Sequence, residues 1–352
     1  MFEKKQWILF ISMLVLLGFF LFLGTKQKYL SRVTQTASFE KQIDTIIEEE
    51  HFKGSLLLIE NEKPIFSKAY GYADKIEKRE NQVEEIYPIA SLQKILTGII
   101  ILQLIQENKL TANTRLSHFY PKIPRSQQIT IRDLLNHTSG IFMEEAEPAC
   151  LLHGEQAQID NTINNLTVSV NQDFNYTNGN YTLLAGIISK VTHHSYNVEF
   201  KKSIMIPLHL TNTYLWEELP KDHLLPKSYM YANEQDYQPD DFPNTDKLFS
   251  SLLGAGNMYM SMNDLWKVLK AITNGKLFNA TRYNQLATIE HGGYQAGFFY
   301  YDGIKYAKGS LGGYNTVIYG EKDNQNLVIF FGNQPPKNDT EQFAQQLYDL
   351  LK

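Results

Sequence analysis

The strongest hydrophobic pattern in the chain is a charge-free run near its start. Residues 7–24, WILFISMLVLLGFFLFLG, contain no ionisable side chain. Eighteen residues at 1.5 Å rise are just long enough to cross a bilayer as a helix, and Trp7 falls where an interfacial aromatic belongs. A cleaved signal peptide has a shorter apolar stretch and ends in small residues. Here the run ends Phe22-Leu23-Gly24-Thr25 with no lipobox cysteine after it. The pattern predicts an uncleaved transmembrane anchor over 7–24, a cytoplasmic tail over 1–6 and a polar tether over 25–37. Lys4 and Lys5 precede the span while Lys26, Lys28 and Arg32 follow it, so flanking charge does not set its orientation.

Beyond the tether the periodicity becomes that of a folded domain. Ser38 to Glu50 alternates apolar and charged positions at helical spacing, with Ser38 as a possible N-cap. Ser55–Glu60 and Ile65–Tyr70 are β-rich runs joined by Asn61-Glu62-Lys63-Pro64, which predicts a hairpin. Ser91–Glu107 is apolar on nearly every face and predicts a buried helix, closed by Asn108, a residue that tolerates the left-handed conformation. Thr130–Asp133 and Ser261–Asp264 each read as a hydroxyl N-cap with an acid three residues on. Tyr181–Val191 is another apolar helix, Tyr314–Gly320 and Leu327–Gly332 are strands, and Asp339–Leu351 is an amphipathic helix. Strands gather at both ends and helices fill the middle. The prediction is an α+β domain over 38–352: an antiparallel sheet built from both termini (about 38–75 and 285–352) with a helical lobe inserted (about 76–284).

Composition changes this picture little. The 352 residues carry 38 acidic and 33 basic side chains, a net charge of −5, which gives no basic surface for nucleic acid. One cysteine, Cys150, excludes an internal disulfide framework and a cysteine-rich zinc site.

Candidate chemistry begins at Ser91-Leu92-Gln93-Lys94. A serine is a poor nucleophile until a base takes its proton. A lysine three residues on lies one helical turn away on the same face, and it can act as base once burial or a neighbouring cation leaves it neutral. A helix N-terminus adds backbone N–H groups for a developing oxyanion. The spacing alone is weak, and Ser38-Phe39-Glu40-Lys41 repeats it on a surface-type helix. Context separates the two copies. Ile89–Lys94, then Glu107–Leu110, then Thr130–Ile141 (TIRDLLNHTSGI), Tyr176-Thr177-Asn178, Ile206-Pro207-Leu208, Gly254-Ala255-Gly256 with Ser261 and Asp264-Leu265, and Gly313–Thr316 form an ordered string across residues 38 to 350. The string resembles the serine hydrolases of the class C β-lactamase and low-molecular-weight penicillin-binding protein family.

The resemblance implies a β-lactamase/transpeptidase-like fold with no cofactor and no metal. It makes Ser91 the nucleophile, Lys94 and Tyr176 the base or proton relay, and Asn178 the residue that orients the substrate's acyl amide. It implies an oxyanion site from the Ser91 N–H and one N–H of a third-motif strand. It also implies a substrate among the D-alanyl groups of the cell envelope, either teichoic-acid esters or peptidoglycan stems, and hence a catalytic domain outside the membrane. A second Tyr-x-Asn, Tyr231-Ala232-Asn233, lies in a stretch rich in aspartate and tyrosine and reads as a surface loop.

The third motif departs from the family pattern. Counting back without a gap from Gly313–Thr316 places Ala307-Lys308-Gly309 where the family has His-x-Gly or Lys-Thr-Gly. A one-residue slip gives Lys308-Gly309-Ser310 and restores a cation. Strand side chains alternate, so the two registers put Lys308 on opposite faces. The gap-free register is preferred, with His291-Gly292-Gly293 too far upstream. It weakens recognition of a leaving group with a free carboxylate and favours an esterase over a D-alanyl-D-alanine carboxypeptidase. The alternative is an impaired, membrane-tethered binding or sensing domain, for which Ala307 is the supporting feature. His137 reads as a turn histidine, His193 and His194 as a polar turn and Cys150 as an unremarkable thiol. Glu144, Glu145 and Glu147 read as a solvated loop.

Overall fold

The computed structural model describes residues 38–352. The expected anchor (7–24), tail (1–6) and tether (25–37) lie outside the described residues. Among those described, no helix is long and apolar enough to cross a membrane. A helix covers 38–49, as the periodicity predicts, and residues 50–352 form a single compact unit.

That unit is organised on a seven-stranded sheet. Its strands are β1 (Lys53–Glu60), β2 (Lys63–Tyr70), β3 (Gly293–Gln295), β4 (Phe298–Tyr301), β5 (Ile304–Leu311), β6 (Tyr314–Glu321) and β7 (Asn326–Gln334), in spatial order β3-β4-β5-β6-β7-β1-β2. Every pairing is antiparallel. The first and last strands of the domain meet at β1 and β7, in the register Leu56↔Phe330 and Leu58↔Val328. The sheet therefore comes from both ends of the domain, as the element order predicts. The β1–β2 turn is tighter than the sequence suggests. Only Asn61 and Glu62 form it, both at positive φ (51° and 59°), the signature of a two-residue type I′ connection. Pro64 instead lies inside β2, opposite Ile59 beside a register shift. It is tolerated there because β2 is an edge strand.

Residues of β1 are buried on both faces because both are covered. On one side Phe343 of the C-terminal helix α5 (Thr340–Asp349) packs against Phe52 and Phe330 with ring centroids 5.3 and 5.1 Å apart. On the other, Leu57, Ile59, Ile329 and Phe331 join the core built around helix α1 (Gln93–Gln106). All of α1 except Gln103 and Gln106 is buried. Its polar side chains therefore need partners inside, and they find them on the segment 254–257. The Gln93 carbonyl accepts from the Asn257 N–H at 2.6 Å, and Thr97 Oγ1 donates to the Gly254 carbonyl at 2.7 Å.

Further helices complete the second layer: α2 (Ile131–Leu135), α3 (Asn178–Thr192) and α4 (Met262–Thr273). Thr130 and Asp133 form a full capping box at α2. At α4 only half of that arrangement exists. Ser261 accepts from the Asp264 N–H, but the Asp264 carboxylate turns inward to the Asn212 N–H (2.8 Å), the Thr213 hydroxyl (2.9 Å) and Lys267 (2.7 Å). It thereby ties α4 to the strand Thr213–Leu215, which pairs with Met258–Ser261 in a small three-stranded sheet. The second Tyr-x-Asn is a hairpin, not an irregular loop. Tyr229–Ala232 pairs with Gln235–Pro239 around Asn233 and Glu234, both at positive φ, and Tyr231 stacks on His51.

Asp264→Ala leaves a buried N–H and a buried hydroxyl without an acceptor and is expected to cost about 3–5 kcal/mol. Denaturant unfolding at neutral pH measures it, with Asp264→Asn retaining part of the loss.

Candidate active site

Ser91 occupies a single 3₁₀ turn, Ala90–Leu92, that leads directly into α1. The residue before it, Ala90, has φ +45°. A non-glycine residue in the left-handed region costs of order 1–3 kcal/mol and persists only where its surroundings impose it. Here they do. The Ile89 N–H donates to the Met258 carbonyl at 2.9 Å, and the Ile89 carbonyl accepts from Thr316 Oγ1 at 3.1 Å. Gly309 of β5 approaches so closely that a Cβ there would sit 2.1 Å from the Ile89 carbonyl oxygen. The serine turn is thus clamped between the small sheet and the edge of the large one.

Lys94, fully buried, points its amine at the serine. Nζ lies 3.0 Å from Ser91 Oγ, 2.7 Å from Asn178 Oδ1 and 2.9 Å from the Ala255 carbonyl. The last two oxygens can only accept, so they fix two N–H bonds of the amine. The remaining tetrahedral position, a lone pair when the amine is neutral and an N–H when it is charged, faces the serine hydroxyl. That is the geometry a general base requires.

Tyr176 is 41 % exposed and covers the amine with its ring, the centroid 4.9 Å from Nζ. Among the described residues no hydrogen bond joins its hydroxyl to Ser91 or Lys94, so of the two candidate bases only Lys94 is within hydrogen-bond distance of Ser91 Oγ. The ring of Tyr176 rests on His137, centroids 4.3 Å apart, and Tyr181 and Tyr294 flank the same imidazole at 5.2 and 4.6 Å. His137 Nδ1 faces two donors, the Thr177 N–H (3.3 Å) and the Asn180 amide (3.0 Å), which places its proton on Nε2. Burial pulls its pKa well below 6.5. His137 does lie in a turn, at φ +57°, yet it also serves as the floor beneath Tyr176. Nothing local in the sequence signals this, because the rings around it come from positions far along the chain.

Asn178 opens α3, behind Thr177 as N-cap. Its amide is divided: Oδ1 accepts from Lys94 and Nδ2 donates to Glu145 Oε2 at 2.6 Å. Glu145 Oε1 also accepts from the Asn178 N–H at 2.7 Å and from the Thr177 hydroxyl at 3.2 Å. The loop taken for a solvated acidic stretch is therefore pinned at Glu145, and at Glu147 by Lys247 (2.8 Å) and Thr245.

The third-motif residues divide between two faces of β5. Gly309 faces the serine turn, and by alternation buried Ala307 shares that face. Lys308 lies on the opposite face, where Nζ donates to Thr340 Oγ1 at 3.0 Å, so it does not join Ser91, Lys94 and Asn178. Beyond Tyr306 no described strand pairs with the outer edge of β5, leaving backbone N–H groups free beside the serine. Ser310 and Asn178 border a cleft of about 600 Å3. Its only charged lining residues, among those described, are Glu144, Glu145 and Glu147.

A buried lysine on a serine at the head of an apolar helix, beside the unpaired stretch of an antiparallel strand, defines a class of serine hydrolase. The chain belongs to the β-lactamase family, whose model matches residues 39–351. It is 30 % identical over 323 residues to a teichoic acid D-alanine hydrolase of Staphylococcus aureus, covering 89 % of this chain and 78 % of that protein. Among solved structures it is similar to FmtA from Staphylococcus aureus (TM-score 0.77, 28 % identity, 90 % of this chain and 87 % of that one). It shares the fold of D-amino acid amidase from Ochrobactrum anthropi (TM-score 0.73, 18 % identity, 89 % and 99 %).

Two outcomes test this geometry. Gly309→Ala must push the Ile89–Ser91 turn away, and a displacement near 1 Å at a nucleophile costs on the order of 100-fold; p-nitrophenyl ester hydrolysis is expected to fall by that factor while the far-UV spectrum is kept. For His137, the unfolded chain takes up a proton near pH 6.5 and the folded chain resists it. The stability it contributes is complete above that pH and falls as pH drops, by up to about 1.4 kcal/mol per unit until the folded pKa is reached. Urea unfolding at about pH 7.5 and 5.5 is expected to show a larger drop for the parent than for His137→Gln.

Proposed function

We propose that this serine hydrolase removes D-alanyl groups esterified to teichoic acid, working outside the membrane to which residues 7–24 anchor it. The observation that carries the catalytic part is the Lys94 amine, held by two obligate acceptors with its third position on Ser91 Oγ. Lys94 takes the serine proton as Oγ bonds to the ester carbonyl carbon. The Ser91 N–H and an N–H on the free edge of β5 receive the oxyanion. The ester C–O bond then breaks, the polyol oxygen leaving with the proton from Lys94. Water attacks the acyl-enzyme, frees D-alanine and restores the Ser91 hydroxyl. Tyr176 covers the amine with its ring.

The choice of ester over peptide rests on charge. A D-alanyl-D-alanine substrate has a leaving group with a free carboxylate, which calls for a cation. Ala307 occupies that face of β5, Lys308 is engaged with Thr340 on the other, and among the described residues no cation lines the cleft. A polyol leaving group needs no cation. The 30 % identical Staphylococcus aureus relative, a teichoic acid D-alanine hydrolase, supports the same choice.

D-alanine released from lipoteichoic acid, compared with release from a D-alanyl-D-alanine pentapeptide, tests the reading. Release from the polymer is expected, lost at least about 1,000-fold in Ser91→Ala. Release from the pentapeptide alone contradicts it.

A further inference from the structure

The cleft bordered by Asn178 and Ser310 carries a carboxylate that the acyl-transfer steps do not use. Glu145 has hydrogen-bond partners only in Asn178 and Thr177 and no cationic partner among the described residues, whereas its neighbour Glu147 is neutralised by Lys247. An ionised carboxylate offers about four acceptor positions, and three donors occupy Glu145. It stands one amide group beyond the catalytic lysine, along the chain Ser91 Oγ, Lys94 Nζ, Asn178 Oδ1, Asn178 Nδ2, Glu145 Oε2.

We propose that Glu145 selects the acyl group, accepting the free α-ammonium of a D-aminoacyl ester and disfavouring N-acylated acyl groups. The proposal rests on the D-alanyl esterase reading and names what that site recognises in its substrate. Two consequences of the hydrogen bonds carry it. First, Glu145 takes one of the two Nδ2 hydrogens of Asn178 and so sets its carboxylate beside the group that would meet the carbonyl of an acyl amide. An N-acylated substrate, such as a peptide stem, then brings a carbonyl oxygen and no positive charge up to a repelling carboxylate. Second, an α-amino nitrogen lies two bonds from the carbonyl carbon that Ser91 attacks, so it emerges beside Asn178. There an ammonium meets the one carboxylate of the cleft bonded to the catalytic asparagine, free of a counter-ion and with an acceptor position to spare. The charge that neutralises Glu145 would arrive with the substrate. Glu145 also fixes the flip of the Asn178 amide so that Oδ1 faces Lys94, which makes it a positioning residue for the base.

Three esters of one alcohol separate these effects: D-alanyl, D-lactyl (hydroxyl in place of ammonium) and N-acetyl-D-alanyl. For the parent enzyme, kcat/KM is expected to favour D-alanyl over the other two by at least about tenfold, mainly through KM, the charge-assisted contact being worth about that factor. The preference should fade as pH rises past the α-ammonium pKa, near 7.7–8.0 in model peptides. In Glu145→Gln the preference is expected to collapse toward unity whatever the absolute rates. Equal rates on the D-alanyl and D-lactyl esters in the parent, a pH-independent preference, or a preference kept in Glu145→Gln each overturn the proposal. The parent's pH and isostere comparisons decide even if the variant folds poorly. An ammonium preference on small esters without D-alanine release from lipoteichoic acid would keep the role of Glu145 and refute the polymer substrate.

Discussion

A lysine amine buried without a counter-ion must find acceptors for its N–H bonds, and much of this molecule is arranged to supply them to Lys94. Asn178 Oδ1 and the Ala255 carbonyl meet two of its positions, leaving the third for Ser91 Oγ. Each partner is delivered by a different part of the fold. Ala255 is held by the polar side chains of α1 that grip segment 254–257. Asn178 is set by the N-terminus of α3 and the Glu145 carboxylate. Ser91 is set by a strained turn that Met258, Thr316 and Gly309 hold in place. The apolar bulk of α1 excludes water from the amine and anchors its helix in the core. An exposed lysine at the same spacing, as in the Ser38–Lys41 copy, has none of this.

What could be read from the sequence was whatever is settled locally. The Thr130–Asp133 capping box, the αL position of Asn108 (φ +57°) and the apolar run of α1 involve residues within a turn or two of each other. The same pattern at Ser261–Asp264 was half misleading, because the carboxylate found better partners about 50 positions away at Asn212 and Thr213. Long-range pairing also explains the misreadings in the site. Glu145 looked like part of a solvated acidic loop because Asn178 is 33 positions downstream. His137 looked like a plain turn residue because Tyr294 comes from strand β3, more than 150 positions along the chain. Composition carried no information on either.

The motif string did identify Ser91, Lys94 and Asn178 as one cluster, since each is placed by an element whose own pattern is strong. The third motif was ambiguous because one glycine and one lysine fit two strand registers equally well. In the structure, the close approach of Gly309 to Ile89 sets the alternation, turning Ala307 toward the site and Lys308 toward Thr340. The electrostatic character of the site follows from that alternation together with Glu145: a cleft lined by carboxylates and by no cation among the described residues. Such a cleft suits an acyl group that carries its own positive charge and a leaving group that carries none.

The most direct test of the central claim is the rate at which a fluorophosphonate modifies the purified protein, with the adduct located by peptide mapping. The account predicts a single adduct on Ser91, formed at least about 100-fold more slowly in Lys94→Ala, because removing a positioned general base costs about 10²–10⁴. An adduct at another residue, or modification of Ser91 at the parent rate without Lys94, would contradict it.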